Sequence, residues 1–221
     1  MPMTSALQLP EMLDSPQLYV RQKKEWAEIL VNWETANQYE ILDTDNNPVG
    51  MIAERSGGFF DTIKRMFLRS HRPLSIDVFD RAGQAVLHLG RTFFWFFSDL
   101  FVDSPSGQHL GAVHRRFGIL YKKYELIDER GQVFARIEAP LWRIWTFPLL
   151  DSSGRKVGQI SKKWSGFMRE MFTDADTFLI DFGDGSWSSS QRAVILAAAI
   201  SVDFDFFEEN QGASSVMDVF D

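Results

Sequence analysis

Cysteine is absent from all 221 residues. That excludes a disulfide scaffold, a thiolate metal site, a cysteine nucleophile and S-acylation, and it says little about compartment. Long apolar runs are missing too: none reaches the ~18 residues that a membrane-crossing helix needs. The start of the chain holds Glu11, Asp14, Glu25 and Glu28 without an apolar core, so no secretory leader is expected and the cytoplasm is the expected compartment. The histidines His71, His88, His109 and His114 show no metal-ligand spacing. Neither a Gly-rich phosphate loop nor a nucleophile elbow occurs. No catalytic motif is present, and an enzyme is not expected.

Aromatic residues are abundant. The 20 Phe and 7 Trp favour a β-rich fold. The net charge of −7 is unevenly spread. Residues 1–54 carry 3 basic and 9 acidic side chains, residues 55–170 carry 19 and 11, and residues 171–221 carry 1 and 10. A basic body between acidic ends suits an anionic surface, lipid or nucleic acid. Folding that interleaves the charges into a mixed surface is the plainer reading.

The middle of the chain repeats. Tyr39–Asp43 and Val49–Ile52 flank Asn46-Asn47, and Leu74–Asp80 and Val86–Leu89 flank Gly83. Leu100–Asp103 and Leu110–Val113 flank Gly107, Tyr124–Asp128 and Val133–Ile137 flank Gly131, and Phe147–Asp151 and Val157–Ile160 flank Gly154. Each unit is a strand, an Asp that opens a turn, a Gly that supplies positive φ, and a second strand. Gly83, Gly107, Gly131 and Gly154 recur at 24, 24 and 23 residues, the mark of consecutive hairpins. Trp164–Phe172 with Thr177–Phe182 makes a sixth pair, about twelve strands in all. Such a sheet closes or pairs to remove its edges, and a closed one of this size leaves a lumen.

Ala193–Val202 has no charged residue and no polar face. A helix apolar all round is buried all round. Ten residues rise only ~15 Å, half of a bilayer core of ~30 Å, so the segment reads as a helix inside the barrel. The sheet-enclosed residues would include Ala193, Val194, Ile195, Leu196, Ile200 and Val202. Ser188–Ser190 offers an N-cap. Asp203 and Asp205 follow the helix, where its dipole disfavours them. Either the helix has ended there, or a base such as Arg143 or Arg169 pairs with one of them.

These residues resemble the phospholipid scramblase family, which has the tubby C-terminal fold. The stretch Ile160–Phe178 (ISKKWSGFMREMFTDADTF) is similar to the family signature nearly position by position. Ala193–Glu208 resembles its terminal helix, and Glu34–Ile41 and Arg72-Pro73-Leu74 also fit. The similarity covers about residues 18–209. It implies a closed twelve-stranded antiparallel barrel around a central C-terminal helix, a mainly β (α+β) class. It also implies action at membranes: binding of anionic phospholipid by a cytoplasmic, peripherally associated protein, with lipid movement between leaflets as the family activity. A soluble module with a basic groove for nucleic acid or a protein is the alternative. Residues 1–17 and 210–221 read as flexible tails around a domain at 18–209.

The resemblance places a calcium loop on Asp174, Asp176, Phe178, Ile180 and Phe182, with Gly185 at its normally acidic twelfth place and Asp184 one place early. Calcium needs six to eight oxygens, and Phe178 and Phe182 supply none from their side chains. A turn leading into a barrel strand is the favoured reading; Ca2+ held weakly by Asp174, Asp176 and Asp184 is the other. The segment Gly57–Arg72 interrupts the repeat. Phe59, Phe60, Ile63, Met66 and Phe67 share one helical face, beside Lys64, Arg65, Arg69 and Arg72. That pattern lies in a lipid interface or packs on the barrel wall. The family's animal members carry a cysteine-rich segment here, so anchoring of this chain would be non-covalent. A second basic set comprises Arg115, Arg116, Lys122, Lys123, Arg143, Lys162, Lys163 and Arg169, converging at one rim or scattered in solvent. The aromatic runs Phe93–Phe97 and Trp142–Trp145 read mainly as buried strand, with an interfacial belt as the alternative.

Overall fold

In the computed structural model the described residues are 11–22, 35–55, 74–91, 99–116, 118, 121–140, 145–161 and 177–203. Twelve strands follow one another: β1 Gln17–Gln22, β2 Thr35–Leu42, β3 Pro48–Arg55, β4 Leu74–Asp80, β5 Ala85–Arg91 and β6 Asp99–Asp103. Then come β7 His109–Arg116, β8 Tyr121–Asp128, β9 Val133–Pro140, β10 Thr146–Leu150, β11 Lys156–Ser161 and β12 Thr177–Asp181. Each pairs antiparallel with its sequence neighbours, and β1 pairs with β12 to close the barrel. Helix α1, Ser189–Asp203, comes last. The closed barrel and its terminal helix are the architecture the resemblance implies.

Five expected hairpins are present. The sixth is not built as expected: β12 lies between β11 and β1, and residues 164–172 lie outside the described residues. The remaining strand is supplied by Gln17–Gln22. Glu11–Asp14, grouped with the tail from sequence, forms a 3-10 turn that puts Met12 and Leu13 into the core. Residues 210–221 lie outside the described residues.

The turns explain the hairpins. Oδ1 of Asp43, Asp80, Asp128 and Asp151 each accepts backbone N–H bonds from residues two and four places on, at 2.8–3.0 Å. Gly83, Gly131 and Gly154 follow with φ of 76°, 78° and 81°, and Asn46 takes the same place with φ 64°. The Gly107 turn differs from expectation. Ser104, not Asp103, opens it, with Oγ accepting from Gln108 N at 3.0 Å, while Asp103 Oδ1 lies 2.8 Å from His109 Nδ1.

Burial raises the Asp43 carboxyl pKa. The Asn47 backbone and amide and the Asp45 N–H, with Arg81, outweigh it and hold the group below the ordinary 3.8. A lowered folded pKa means that the unfolded chain binds more protons in that window. The contribution to stability is present above 3.8 and is lost as pH falls through the lowered value. Asp43→Asn is therefore expected to flatten the acid limb of stability against pH, measured by urea titration at a series of acidic pH values.

Alternate residues of the strands face inward. Val20, Ile41, Ile52, Val78, Leu89, Val102, Leu126, Ile137, Leu149 and Ile180 are all fully buried. They enclose α1, whose residues Ala193–Val202 are at most 2% exposed. Fifteen helical residues span ~22 Å, the height of strands of five to eight residues. Each fully buried Ile, Leu or Val contributes roughly 1.5–3 kcal/mol. The helix lies off-centre, mainly against β7 and β8.

A capping box starts α1. Ser188 Oγ accepts from Gln191 N at 3.2 Å, and Gln191 Oε1 accepts from Ser188 N at 2.9 Å. Ser188→Ala is expected to cost about 1 kcal/mol, read as a lower urea midpoint at unchanged slope. Arg192 Nη1 donates to the carbonyls of Leu13 and Ser15 at 2.9 and 2.8 Å, and its guanidinium lies 4.7 Å from the Phe182 ring centroid. It thereby ties the helix start to the 3-10 turn. At the far end the helix runs to Asp203, whose Oδ2 accepts from the Tyr39 hydroxyl at 3.0 Å. Arg143 and Arg169, the bases suggested for it, lie outside the described residues.

Candidate functional site

The barrel has two unlike ends. Tight turns at residues 43–47, 81–84, 104–108, 129–132 and 151–155 join β2 to β3, β4 to β5, β6 to β7, β8 to β9 and β10 to β11 at one end. Because strand direction alternates, the connections after β1, β3, β5, β7, β9 and β11 all leave from the other end. α1 enters from the turn end and finishes at the connection end, since β12 carries Asp181 opposite Gln17 and Thr177 opposite Arg21.

The described members of the second basic set, Arg115, Arg116, Lys122 and Lys123, all stand at the connection end but on two faces of the sheet. Arg115 faces Tyr124 and Lys122 faces Ala139, on the inward side at the connection end, where both are half-buried. Arg116 and Lys123 face each other on the outer wall. Side chains alternate across a strand, so neighbours in sequence part to opposite faces. Arg143, Lys162, Lys163 and Arg169 lie outside the described residues.

On the outer wall the bases are matched by acids. Arg116 Nε donates to Glu125 Oε2 at 2.8 Å, and Arg136 Nε lies 3.8 Å from Glu125 Oε1. Arg116 Nη2 lies 2.8 Å from His114 Nδ1, and Lys123 Nζ lies 3.8 Å from Glu138. Across the barrel, buried Asp77 binds Arg55 and sits 3.0 Å from His88 Nδ1, and Arg21 donates to Glu40 at 2.7 Å. The mixed-charge reading holds for this wall. Its consequence is larger: a barrel that crosses a bilayer turns an apolar band outward and a polar lumen inward. Here the lumen is apolar and the wall is charged.

β12 is a strand over Thr177–Asp181, with Phe178 and Ile180 pointing into the core, followed by buried Phe182, as the turn-into-strand reading has it. Asp184 lies beyond the turn end of β12. Asp174 and Asp176, the other expected calcium residues, lie outside the described residues. Among the described residues no group of three or more His, Asp or Glu side chains is placed to hold a metal.

The expected lipid segment, with Phe59, Phe60, Ile63, Lys64, Arg65, Phe67, Arg69 and Arg72, lies outside the described residues, as do 92–98 and 141–144. It belongs to the connection between β3 and β4. Trp145, at the edge of an aromatic run read as buried, is 44% exposed. Tyr121, which sequence reasoning passed over, is 41% exposed, and both stand at strand starts on the connection end. A cleft of about 240 Å³ opens on the wall, lined in part by Gln38, Glu40, Pro48, Met51, Phe79 and Arg81. Its acid Glu40 is already engaged by Arg21.

A family model described as Scramblase matches residues 1–209. The chain belongs to the Scramblase family. Phospholipid scramblase 1 of Mus musculus is 31% identical over 87% of this chain and 61% of its own length. Altered inheritance rate of mitochondria protein 25 of Saccharomyces cerevisiae is 28% identical over 90% of this chain and 72% of its own. The scramblase-family chain described here thus spans roughly two-thirds of these relatives' lengths. An X-ray structure of an Arabidopsis thaliana protein aligns over 86% of this chain and 91% of its own, at 13% identity and a TM-score of 0.49. No described helix is long and apolar enough to cross a membrane.

Proposed function

We propose that this chain is a peripheral membrane protein that binds anionic phospholipid from outside the bilayer, on the cytoplasmic leaflet where such lipids collect. The observation that carries this reading is the inverted polarity of the barrel. The apolar helix is consumed as core, and the wall is lined with ion pairs, so neither serves as a span. Membership of the Scramblase family supports phospholipid as the ligand. Lipid movement between leaflets is the finer part of the proposal. It would proceed by disturbing the leaflet at the contact, since the rod is not free to line a path.

Co-sedimentation with phosphatidylserine-containing vesicles, and not with phosphatidylcholine alone, is the expected result. Equal indifference to both vesicles overturns the proposal. Faster dithionite loss of labelled lipid in proteoliposomes tests the movement step separately. The nucleic-acid alternative loses support on the described wall, where Arg116 and Lys123 already face glutamates. Salt-sensitive DNA binding without vesicle binding would restore it.

A further inference from the structure

We infer that the outer face of β6 is a docking surface for a partner protein, one that presents an extended segment with an apolar residue between two arginines. The inference goes beyond the lipid-binding reading and does not depend on it, since it concerns the barrel wall alone.

Three observations carry it. The first is an apolar window in a charged wall. Phe101 points outward from the middle of β6 and is 39% exposed. Its cross-strand neighbours are Gly90 on β5 and Ala112 on β7, the two smallest residues there are. The ring therefore stands above a low floor. A Cβ placed on Gly90 would meet nothing nearer than His88 Nε2 at 3.8 Å, so an open notch lies on the β5 side. On the β7 side the ring lies 6.2 Å from that of His109. Protein interfaces centre on such an aromatic and surround it with a polar rim.

The second is charge. Asp99 and Asp103 flank Phe101 on the same strand and the same face. Farther out on the wall the carboxylates already face permanent cations: Asp77 faces Arg55, Glu125 faces Arg116 and Arg136, and Glu138 faces Lys123. Asp99 and Asp103 have imidazoles instead. His109 Nδ1 donates to Asp103 Oδ1 at 2.8 Å, and His114 Nε2 stands 3.9 Å from Asp99 Oδ1. Arg116 Nη2 lies 2.8 Å from His114 Nδ1. A guanidinium only donates, so that nitrogen accepts and the His114 ring is neutral. Asp99 Oδ1 accepts no hydrogen bond from the described residues. The rim of the window thus offers two carboxylates to a cation from outside.

The third is spacing. Asp99, Phe101 and Asp103 are alternate residues of one strand, so the carboxylates stand ~14 Å apart along the wall with the ring midway. An extended segment laid along β6 repeats that period, because its residues i, i+2 and i+4 share one face. Arginine at i and i+4 meets the carboxylates, and an apolar side chain at i+2 fills the Gly90 notch against the ring. Arginine suits this rim better than lysine, because its planar fork matches a carboxylate and stacks on an aromatic face. The barrel is closed, so a free strand edge does not compete for the segment.

The probe is the peptide Ser-Arg-Gly-Leu-Gly-Arg-Ser carrying a fluorophore, titrated with the full chain at low salt and read by anisotropy. Saturable binding is expected, weakened about tenfold by Phe101→Ala and about threefold by Asp99→Asn or Asp103→Asn. Gly90→Val fills the notch without a close neighbour and is expected to weaken binding about tenfold at an unchanged thermal melt. A peptide with citrulline in place of both arginines is expected to bind about tenfold more weakly. Absence of saturable binding overturns the proposal, as does equal binding by the citrulline peptide or by Phe101→Ala. A dimer in sedimentation equilibrium that Phe101→Ala dissolves also overturns it, and makes a second copy the occupant. Phe101→Ala is expected to sediment with phosphatidylserine vesicles as the unmodified chain does. Loss of sedimentation in that variant alone would make the window a lipid contact and overturn the docking of a protein there.

Discussion

Ala198→Glu is expected to leave no folded barrel. Ala198 is fully buried near the middle of α1, with strands around it on every side. A carboxylate there loses its water without gaining a partner, at a cost of several kcal/mol even after local relaxation. A domain is stable by only ~5–15 kcal/mol in total, so one such charge removes most of the margin. Glutamate is a good helix former, which excludes lost helicity as the cause. Soluble yield, near-ultraviolet circular dichroism and thermal melting report the outcome, and Ala82→Glu in an exposed turn is the matched control. A melt close to that of the unmodified chain would mean that the helix is not enclosed.

Gly111→Val is the second large effect. Gly111 holds φ 147°, a conformation that L side chains rarely adopt. A Cβ there would stand 2.3 Å from the carbonyl oxygen of Ile127 and 2.7 Å from Val194 Cγ2. The first neighbour is backbone of the paired strand and cannot rotate away. Backbone strain of ~1–3 kcal/mol and overpacking of ~1–3 kcal/mol together give a loss of about 4 kcal/mol. In a chain of this size that lowers the melting midpoint by about 10 °C. Gly131→Ala is the informative contrast. Its φ is also positive, but nothing lies within 4 Å of the added carbon, so it costs only about 1–2 kcal/mol. Adding Val194→Ala to Gly111→Val relieves one of the two clashes and makes the pair non-additive.

The contrast between these two glycines shows what was legible in the sequence. Gly131 is visible because its reason is local: an Asp three residues before it, strands on both sides and a fixed recurrence. The same locality made the five hairpins and the all-apolar helix readable. Gly111 looks like any strand glycine, because its reason is a helix 83 positions away, at Val194. The closing strand was legible in part. The apolar residues of Leu18–Val31 suit a segment that pairs with or covers the barrel, but the pairing of Gln17–Gln22 with β12 is encoded in no local pattern. Ser104 was missed because Asp103 beside it fitted the repeat, and a hydroxyl performs the same turn chemistry.

For the basic residues, what the sequence left open was parity. Arg115 with Arg116, and Lys122 with Lys123, read as one basic cluster along the chain. The pleat sends one member of each pair inward and the other outward, to Glu125 and Glu138. Around β12 the strand signalled by Phe178-Leu179-Ile180 is present, while Asp174 and Asp176 lie outside the described residues. Trp145 and Tyr121 carry no sequence signal that separates an exposed aromatic from a core one. Only the direction of each strand, and hence the end at which it starts, distinguishes them.

The pairing of Val20 with Phe178, 158 positions later, also dictates an order of assembly. The rod is synthesised after every stave of the cylinder around it. Threading it through a finished cylinder would drag Asp203, Asp205 and Glu208 along a greasy bore. The cylinder is therefore wrapped about the rod, and the meeting of first and last staves is the final stitch. Without residues 189–203 the inner face of the staves has no apolar filling to rest on.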